Sequence, residues 1–348
     1  MHPDLDPVDA SSPLRISFVG GGTDFPHYYE EHGGAVLSAT IDHRVRVTIR
    51  PRVDRQVTVR SLDLGHLVEY QLDEGPEYDG VMDLAKAAID RVGVAGGIDV
   101  AIRSDAPAGS GLGGSSSLVV AVVAALAALG RIPMTADRLA RLSYSIERED
   151  LGIPGGSQDQ YAAAFGGFNL IEFDRSGARV RPVRLAPSTL AELEAKLLLC
   201  YTGSVRRNVG IIDRQIAFWR EGREETRMGL KELQELAYVM RDAVEAGNPD
   251  ELGARLRDAF EAKMRMNPSI TEHTRVERML ELARHAGATG GKMCGAGGGG
   301  YLLLYCDPEA QARVRARLSE LGCQFAPFRF HGMGVRATRG SESWAPSI

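Results

Sequence analysis

The chain has 348 residues, of which 44% are hydrophobic and 25% are charged. This length favours two domains over a single core. The 41 basic and 46 acidic residues give a formal net charge of -5 without any long block of like charge, so neither a nucleic-acid-binding surface nor a polyanion partner is expected.

The first quarter of the chain predicts an antiparallel sheet behind a flexible N-terminal tail, residues 1–12. The segment Met1 to Pro13 carries three aspartates and three prolines and has no apolar core typical of a signal peptide. In Arg44 to Arg50 apolar residues alternate with polar ones, which predicts one covered sheet face. Strands are predicted at 14–19, 35–41, 44–50, 56–60 and 66–70, with the last two forming a hairpin.

Helices follow at 81–92, 115–129 and 135–150, with a strand at 97–103 between the first two. The helix at 115–129 is apolar on every side and should therefore be covered by protein all round. Its apolar run, Leu118 to Leu129, has 12 residues, fewer than the roughly 18 to 20 that a membrane span needs. No membrane partner is expected.

The polar stretch 174–188 predicts the boundary between an N-terminal domain, 13–185, and a C-terminal domain, 186–348. The second domain is predicted to be largely helical over 209–286. Strands are predicted at 196–201, 301–306 and 324–330, and a helix at 308–321. The pattern predicts an α+β fold with a helical insertion.

The four cysteines lack the spacing of a zinc site and the density of a secreted disulfide scaffold. Buried free thiols and a reducing compartment, the cytoplasm, are the expectation. The oligomeric state, including a homodimer, stays open.

Glycine is concentrated in four short windows. These windows, 20–22, 109–114, 152–156 and 290–300, hold 17 of the 40 glycines. Such clustering indicates local sites rather than a low-complexity linker.

The window from Pro107 to Ser117 stands directly before the buried helix. Glycines allow a ligand to approach the backbone closely, and the first turn of a helix offers unpaired N–H groups and a positive dipole end. Together they predict an anion site, most naturally for phosphates. The spacing fits neither a P-loop nor a dinucleotide fingerprint. A flexible Gly/Ser spacer is the alternative.

The last glycine window, 290–300, predicts a second wall of the same pocket, although a chain crossing under a helix would also explain it.

Carboxylates lie near the third window. Asp159, which follows a glycine turn, is either a helix cap or a functional group. Glu147, Glu149 and Asp150 could equally form a solvated face.

Three of these segments, in order, resemble the motifs of the GHMP kinases, a family that includes galactokinase, homoserine kinase, mevalonate kinase and phosphomevalonate kinase. They are Pro13 to Ser17 leading to Asp24, Pro107 to Ser117, and Gly295 to Gly300. The resemblance covers roughly residues 13–332. It implies an N-terminal ATP-binding domain similar to ribosomal protein S5 domain 2 and a ferredoxin-like C-terminal domain with a helical insertion.

Within the family, Gly20 to Pro26, Gly33 to Ser38 and Gln158 to Gly167 resemble the D-glycero-D-manno-heptose 7-phosphate kinase branch. That resemblance implies phosphorylation of the anomeric hydroxyl of a sugar phosphate. The chain departs from the branch at two positions. The branch usually has Lys where this chain has Ser157, and its serine run usually begins where this chain has Gly114. A galactose- or mannose-type anomeric kinase and a non-catalytic sugar or nucleotide sensor are the alternatives.

The resemblance also implies roles for individual residues. The ATP phosphates would be wrapped by Pro107, Gly109, Ser110, Gly111, Leu112, Gly113, Gly114, Ser115 and Ser116. Mg2+ would be ligated by Glu147 and by Ser115 or its neighbour Ser116. Asp159 would orient or deprotonate the sugar hydroxyl, with Arg15 offsetting charge on the γ-phosphate. The sugar would be bordered by Gly22, Thr23, Asp24, Gly297 and Gly298.

A phosphorylated sugar also needs cations. Arg206 is the first candidate, because a guanidinium fork suits a phosphate dianion. Arg207, Lys263 and Arg265 are further candidates. Ordinary surface positions would explain all four equally well.

Overall fold

The computed structural model describes residues 6–203, 210–270 and 275–348. Its strands are β1 (Val8–Val19), β2 (Gly34–Pro51), β3 (Gln56–Ser61), β4 (Leu67–Gln71), β5 (Ile98–Ser104), β6 (Phe168–Asp174), β7 (Gly177–Pro182), β8 (Leu197–Tyr201), β9 (Ala288–Met293), β10 (Tyr301–Cys306), β11 (Gln324–Ala326), β12 (Arg336–Arg339) and β13 (Glu342–Trp344). Its helices are α1 (Pro26–His32), α2 (Asp83–Val92), α3 (Gly114–Leu129), α4 (Ala136–Ser145), α5 (Gln158–Phe165), α6 (Pro187–Lys196), α7 (Ile211–Arg220), α8 (Glu224–Glu245), α9 (Pro249–Met266), α10 (Val276–Ala286) and α11 (Pro308–Ser319).

Two sheets organise the described part of the chain. Nine strands form the first sheet, in the order β13-β12-β1-β2-β5-β3-β4, with β6 and β7 extending from β2. Four strands form the second, in the order β11-β8-β10-β9. Helices α7 to α10 lie between β8 and β9 in the chain, which is the predicted helical insertion. The predicted two-domain α+β class is confirmed.

The first sheet is built around one long strand. The separate strands predicted at 35–41 and 44–50 are both parts of β2, so that prediction is wrong. The register against β1 shifts between the pairs Pro13 with Arg44 and Arg15 with Thr40, which means that β2 takes up extra residues in a bulge. The predicted alternation is confirmed beyond the bulge, because Val45, Val47 and Ile49 are buried.

Helix α3 is enclosed as its composition predicts. Every residue from Val119 to Ala128 is buried. The helix packs against β1, β2, α2, α4 and α5. This buried helix gives the segment before it, the predicted phosphate loop, a rigid support.

Both ends of the chain belong to the first sheet. The prediction of a flexible tail is wrong for residues 8–12, since Val8 to Ser11 pair with both β2 and β12. Val8 and Ala10 are buried there, so the polar composition concealed an alternating strand. The domain assignment of 186–348 is likewise wrong at its end, because β12 pairs with β1.

Smaller differences concern the ends of elements. The strand predicted at 324–330 stops at Ala326, and Gly290 and Gly291 lie inside β9 rather than in a loop. The helix predicted at 135–150 finishes in a π-helical turn, Ile146–Asp150. Within the described ranges, no helix is both long and apolar enough to cross a bilayer.

Candidate active site

The predicted phosphate loop ends at the N-terminus of α3. Gly113 is the N-cap residue, with φ of 78°, and no side chain caps the helix. The three serines that follow are therefore not caps; the Ser117 hydroxyl instead donates to the Pro13 carbonyl at 2.8 Å. With no side-chain cap, the first turn can present its N–H groups and its positive dipole end to an anion.

The two predicted glycine loops touch one another. Gly111 has φ of +80°, and a Cβ added there would lie 2.7 Å from the Cys294 carbonyl oxygen. Gly295 has φ of +60°, and a Cβ added there would lie 2.6 Å from the Gly111 Cα. The Tyr301 N–H donates to the Ser110 carbonyl at 3.0 Å. The contact requires glycine on both sides.

An ion pair lies against this junction. Arg15 Nε donates to Asp159 Oδ1 at 2.7 Å, and Nη2 lies 2.6 Å from the same oxygen. Arg15 Nη1 donates to the Gly111 carbonyl at 2.8 Å. The Arg15 side chain is 4% exposed and that of Asp159 is 22% exposed. The arginine is thus fixed between the phosphate loop and a carboxylate that remains accessible.

Asp24 is held as a buried acceptor. The Gly22 N–H donates to its Oδ1 at 2.9 Å, and the Gln158 N–H and Nε2 donate to Oδ2 at 3.1 and 3.2 Å. Burial raises the pKa of Asp24 above its ordinary value, and the hydrogen bonds from the Gly22 and Gln158 N–H groups oppose that shift. The neighbouring Thr23 hydroxyl donates to the Gly20 carbonyl at 2.8 Å, so this side chain secures the turn.

Glu147 lies in the π-helical turn after α4 and faces α3. The Ser116 hydroxyl donates to its Oε2 at 2.7 Å, and Gln160 Nε2 donates to the same oxygen. Burial raises the pKa of Glu147, while Arg148, 3.7 Å away, lowers it. Glu147, the carboxylate that the resemblance implies for the metal, is buried, whereas Glu149 is exposed.

Ser116 is thus the serine that contacts Glu147. Ser115, the other serine predicted as a metal ligand, is exposed. The part of the chain that the structure describes holds no cluster of three or more His, Cys, Asp or Glu side chains that could bind a metal alone. A metal at Glu147 would need further oxygen ligands, from Ser116, water or a substrate.

Two buried lysines lie behind the second glycine loop. Lys263 Nζ donates to the Gly295 carbonyl. Lys292 Nζ donates to the Ser17 and Met293 carbonyls at 2.8 and 3.0 Å. From the sequence, Lys263 is only a candidate phosphate ligand, and Lys292 has no predicted role. The position of Lys292 inside a glycine-rich segment was the signal available.

The remaining predicted positions divide into three groups. Arg206 and Arg207 lie outside the described residues. Arg265 forms an ion pair with Glu232 on the surface. Gly297 and Gly298 are buried within the second loop.

Ser157 is buried beside the Asp24 turn, where its N–H donates to the Asp24 carbonyl at 3.4 Å. It also lines a cavity of about 680 Å3 together with Tyr29, Arg141 and Tyr144. Ser157, where the resemblance implies a lysine, therefore places a small side chain next to open space.

Residues 80–167 match the GHMP kinase N-terminal domain, and residues 240–322 match the GHMP kinase C-terminal domain. D-glycero-alpha-D-manno-heptose 7-phosphate kinase of Campylobacter jejuni is 33% identical over 95% of this chain and 99% of its own length.

Solved structures agree with these matches. A D-glycero-D-manno-heptose 1-phosphate kinase from Bacteroides thetaiotaomicron superposes with a TM-score of 0.79, at 29% identity, over 96% of this chain and all of the other. Lactococcus lactis galactokinase, solved with galactose, has a TM-score of 0.76 over 96% of this chain and 95% of its own, and at 22% identity shows the fold alone.

The fold and the glycine loops define a small-molecule kinase. The chain belongs to the GHMP kinase family. It is an enzyme that uses ATP as the phosphoryl donor, so the predicted family and the predicted kinase activity are confirmed.

Proposed function

We propose that this kinase phosphorylates the anomeric hydroxyl of a sugar phosphate, D-glycero-D-manno-heptose 7-phosphate, to give the 1,7-bisphosphate. The observation that carries the proposal is the Arg15 side chain, which joins the accessible carboxylate of Asp159 to the phosphate loop at Gly111. The choice of sugar is supported by a full-length relative, 33% identical, that is named for this substrate.

The ATP phosphates bind at Gly109 to Ser116 and the N-terminus of α3. The uncapped first turn attracts the negative charge, and the glycines let the phosphates reach the backbone N–H groups. Gly295, in contact with Gly111, closes the other side of the phosphate channel. Positioning of this kind is the larger part of what phosphoryl transfer requires from a protein.

Glu147 and Ser116 fit a magnesium ion. Mg2+ prefers oxygen ligands and completes its octahedron with substrate phosphates, and a buried carboxylate next to a hydroxyl offers two such ligands beside the phosphate loop. Ser116 takes this role in place of Ser115, since Ser116 is the serine in contact with Glu147. When bound, the ion would neutralise charge on the β- and γ-phosphates. Gln160 holds Glu147 in position through its amide.

Asp159 orients the anomeric hydroxyl and accepts its proton as the new bond forms. The sugar oxygen attacks the γ-phosphorus, the bond from that phosphorus to the β,γ-bridging oxygen breaks, and ADP leaves with the electron pair. Arg15 lies beside both the carboxylate and the loop, where it offsets the charge that develops on the transferred group. Asp24, held by Gly22 and Gln158, accepts a hydrogen bond from a sugar hydroxyl.

The test is turnover of purified enzyme with ATP and Mg2+ on a matched set of acceptors. The set contains heptose 7-phosphate, heptose 1-phosphate, free heptose, galactose and mannose. Both phosphates are included because the relatives' names differ in the position of the phosphate. We expect kcat/KM to be highest for the 7-phosphate by at least tenfold.

Efficient turnover of a free hexose without turnover of the 7-phosphate would instead identify a galactose- or mannose-type kinase. Sugar binding without any turnover would identify a sensor. The position of the new phosphate is read by NMR of the product, and a phosphate at any carbon other than C1 would contradict the anomeric assignment.

We also place the kinase in the reducing cytoplasm, where the four free and buried cysteines would stay reduced.

A homodimer is part of the same proposal. Sedimentation of the purified protein at several concentrations tests it, and a mass of 37.6 kDa at every concentration would refute it.

A further inference from the structure

Lys263 is a buried amine without a carboxylate partner. The residue is 8% exposed, and no ion pair joins it to a carboxylate anywhere in the described ranges. Among the described residues its one hydrogen-bond acceptor is the Gly295 carbonyl, although an ammonium group has three N–H donors. Burial of an ammonium charge costs free energy unless a counter-ion compensates the charge.

The position of Lys263 indicates where that counter-ion binds. Gly295, its acceptor, packs against Gly111, and the Gly111 carbonyl accepts from Arg15. Lys263 is therefore connected through two backbone groups to the Arg15–Asp159 pair. Arg15 and Lys263 thus each contact one of the two touching glycine loops, Arg15 through Gly111 and Lys263 through Gly295.

Lys292 shows that burial alone does not create this arrangement. It is 4% exposed, half as much as Lys263, and it likewise has no carboxylate partner in the part of the chain that is described. Its amine, however, donates to two backbone carbonyls, those of Ser17 and Met293. Lys292 ties β9 to β1 and thereby serves the structure.

We propose that Lys263 binds a phosphoryl group in the cleft, between the second glycine loop and Arg15. The inference rests on the proposed function in that the phosphoryl group belongs either to the ATP γ-position or to the sugar phosphate. Lys263 touches the substrate in this assignment and is a catalytic residue if the group is the one transferred.

The charges around Lys263 agree with an anion site. Burial, together with the positive charges of Lys292 and Arg15, lowers the pKa of Lys263 to about 7, and Cys294 and Asp24 oppose the shift. A bound phosphate would raise this pKa, so binding above pH 7 should take up a proton. Affinity should then fall as the pH rises through about 7.

The experiment measures binding by calorimetry, without turnover, to wild type, Lys263→Met and Lys292→Met. Each protein is titrated with AMPPNP and with ADP, both with Mg2+, and then with heptose 7-phosphate and free heptose. We expect Lys263→Met to weaken the binding of one phosphorylated ligand by about tenfold and to leave its counterpart lacking that phosphate within about twofold.

The two pairs of ligands identify the source of the phosphoryl group. A selective loss for AMPPNP over ADP assigns Lys263 to the γ-phosphate, and a selective loss for heptose 7-phosphate over heptose assigns it to the acceptor. Equal effects within both pairs would overturn the proposal. The nucleotide pair contains no sugar, so it gives an answer even if the heptose assignment fails.

Two controls separate charge from structure. Lys263→Gln keeps a donor for the Gly295 carbonyl but removes the charge, and it also provides a test if Lys263→Met does not fold. Recovery of wild-type selectivity in Lys263→Gln would show a positioning role and overturn the proposal. Titrations at pH 8 in two buffers of different ionisation enthalpy should show proton uptake in wild type and in Lys292→Met that Lys263→Met lacks.

Discussion

The two touching glycine loops, Gly109–Gly114 and Gly295–Gly300, belong to two walls of one cleft, and the charges on the two walls are compensated differently. In the first wall, from the first half of the chain, each charged side chain has a partner. Arg15 forms an ion pair with Asp159, and Glu147 accepts hydrogen bonds from Ser116 and Gln160. The wall from the second half offers backbone and two lysines that lack carboxylate partners among the described residues. The carboxylates to which we assign proton transfer and metal binding are thus fixed on one side. The second wall carries positive charge that, in our proposal, a bound anion compensates.

Asp159→Asn tests the first wall most severely. Asparagine can still accept from Arg15, so the fold should persist, but it cannot take the proton of the hydroxyl. We expect kcat to fall by roughly 10²- to 10⁴-fold, with the KM for ATP little changed. Steady-state kinetics measure both.

The control for Asp159→Asn is Asp150→Asn, at a surface carboxylate paired with Arg91. Its kcat should equal that of wild type. A kcat for Asp159→Asn within threefold of wild type would remove Asp159 from the catalytic set.

Glu147→Gln tests the metal site on the same wall. Loss of the charge should raise the Mg2+ concentration for half-maximal activity by at least roughly tenfold, because even outer-shell partners of metals contribute 10- to 100-fold in affinity. Activity is titrated against Mg2+ at saturating ATP. The neighbouring exposed Glu149→Gln is the matched control, and an unchanged Mg2+ requirement in Glu147→Gln would contradict the assignment.

Gly295→Ala tests the junction between the walls. A methyl group there would lie 2.6 Å from the Gly111 Cα at a φ of +60°, so the two loops must separate. We expect a loss of about 1–3 kcal/mol in the free energy of unfolding and a higher KM for ATP. The control is Gly332→Ala, where a methyl group meets nothing within 4 Å. If both variants melt at the same temperature, the loops are not packed as described.

Lys263→Met tests the uncompensated charge of the second wall through stability. Because the folded protein lowers the pKa of Lys263 to about 7 from 10.5, burial of the charged form costs stability. That cost is fully present below pH 7 and disappears as the pH rises through 7 to about 10.5. The variant should therefore be more stable than wild type at pH 6.5, by an amount that shrinks towards pH 10. Urea unfolding at several pH values measures it, and a pH-independent difference would contradict the buried charge.

Short-range sequence patterns predicted most of the first wall. The order of glycines and serines before a uniformly apolar helix indicated an anion site, and the motifs brought Arg15, Asp24 and Asp159 together as the resemblance implied. Ser116 was separable from Ser115 only in three dimensions, because the twist of α3 decides which hydroxyl faces Glu147.

The second wall was harder to predict because its features depend on long-range packing. Lys263 lies 32 residues before the Gly295 carbonyl that it contacts. The sequence of α9 does not distinguish the buried Lys263 from exposed charged residues of the same helix, such as Arg257 and Glu261. The course of β2 through its bulge and the return of β12 to β1 also depend on distant partners. Local propensity cannot report such pairings.

The pairing of β12 with β1 makes the first half of this kinase a discontinuous module. The second half enters it as an insertion, with one connection between β7 and α6 and the other between β11 and β12. Trp344 Nε1 donates to the Ile132 carbonyl at 3.1 Å, which locks the returning segment beside α3 and α4. A cut near residue 185 would therefore remove β12 and β13 from the first sheet, whereas the second sheet would stay whole in the C-terminal fragment. A circular permutant that joins the two termini, by contrast, would keep the module intact.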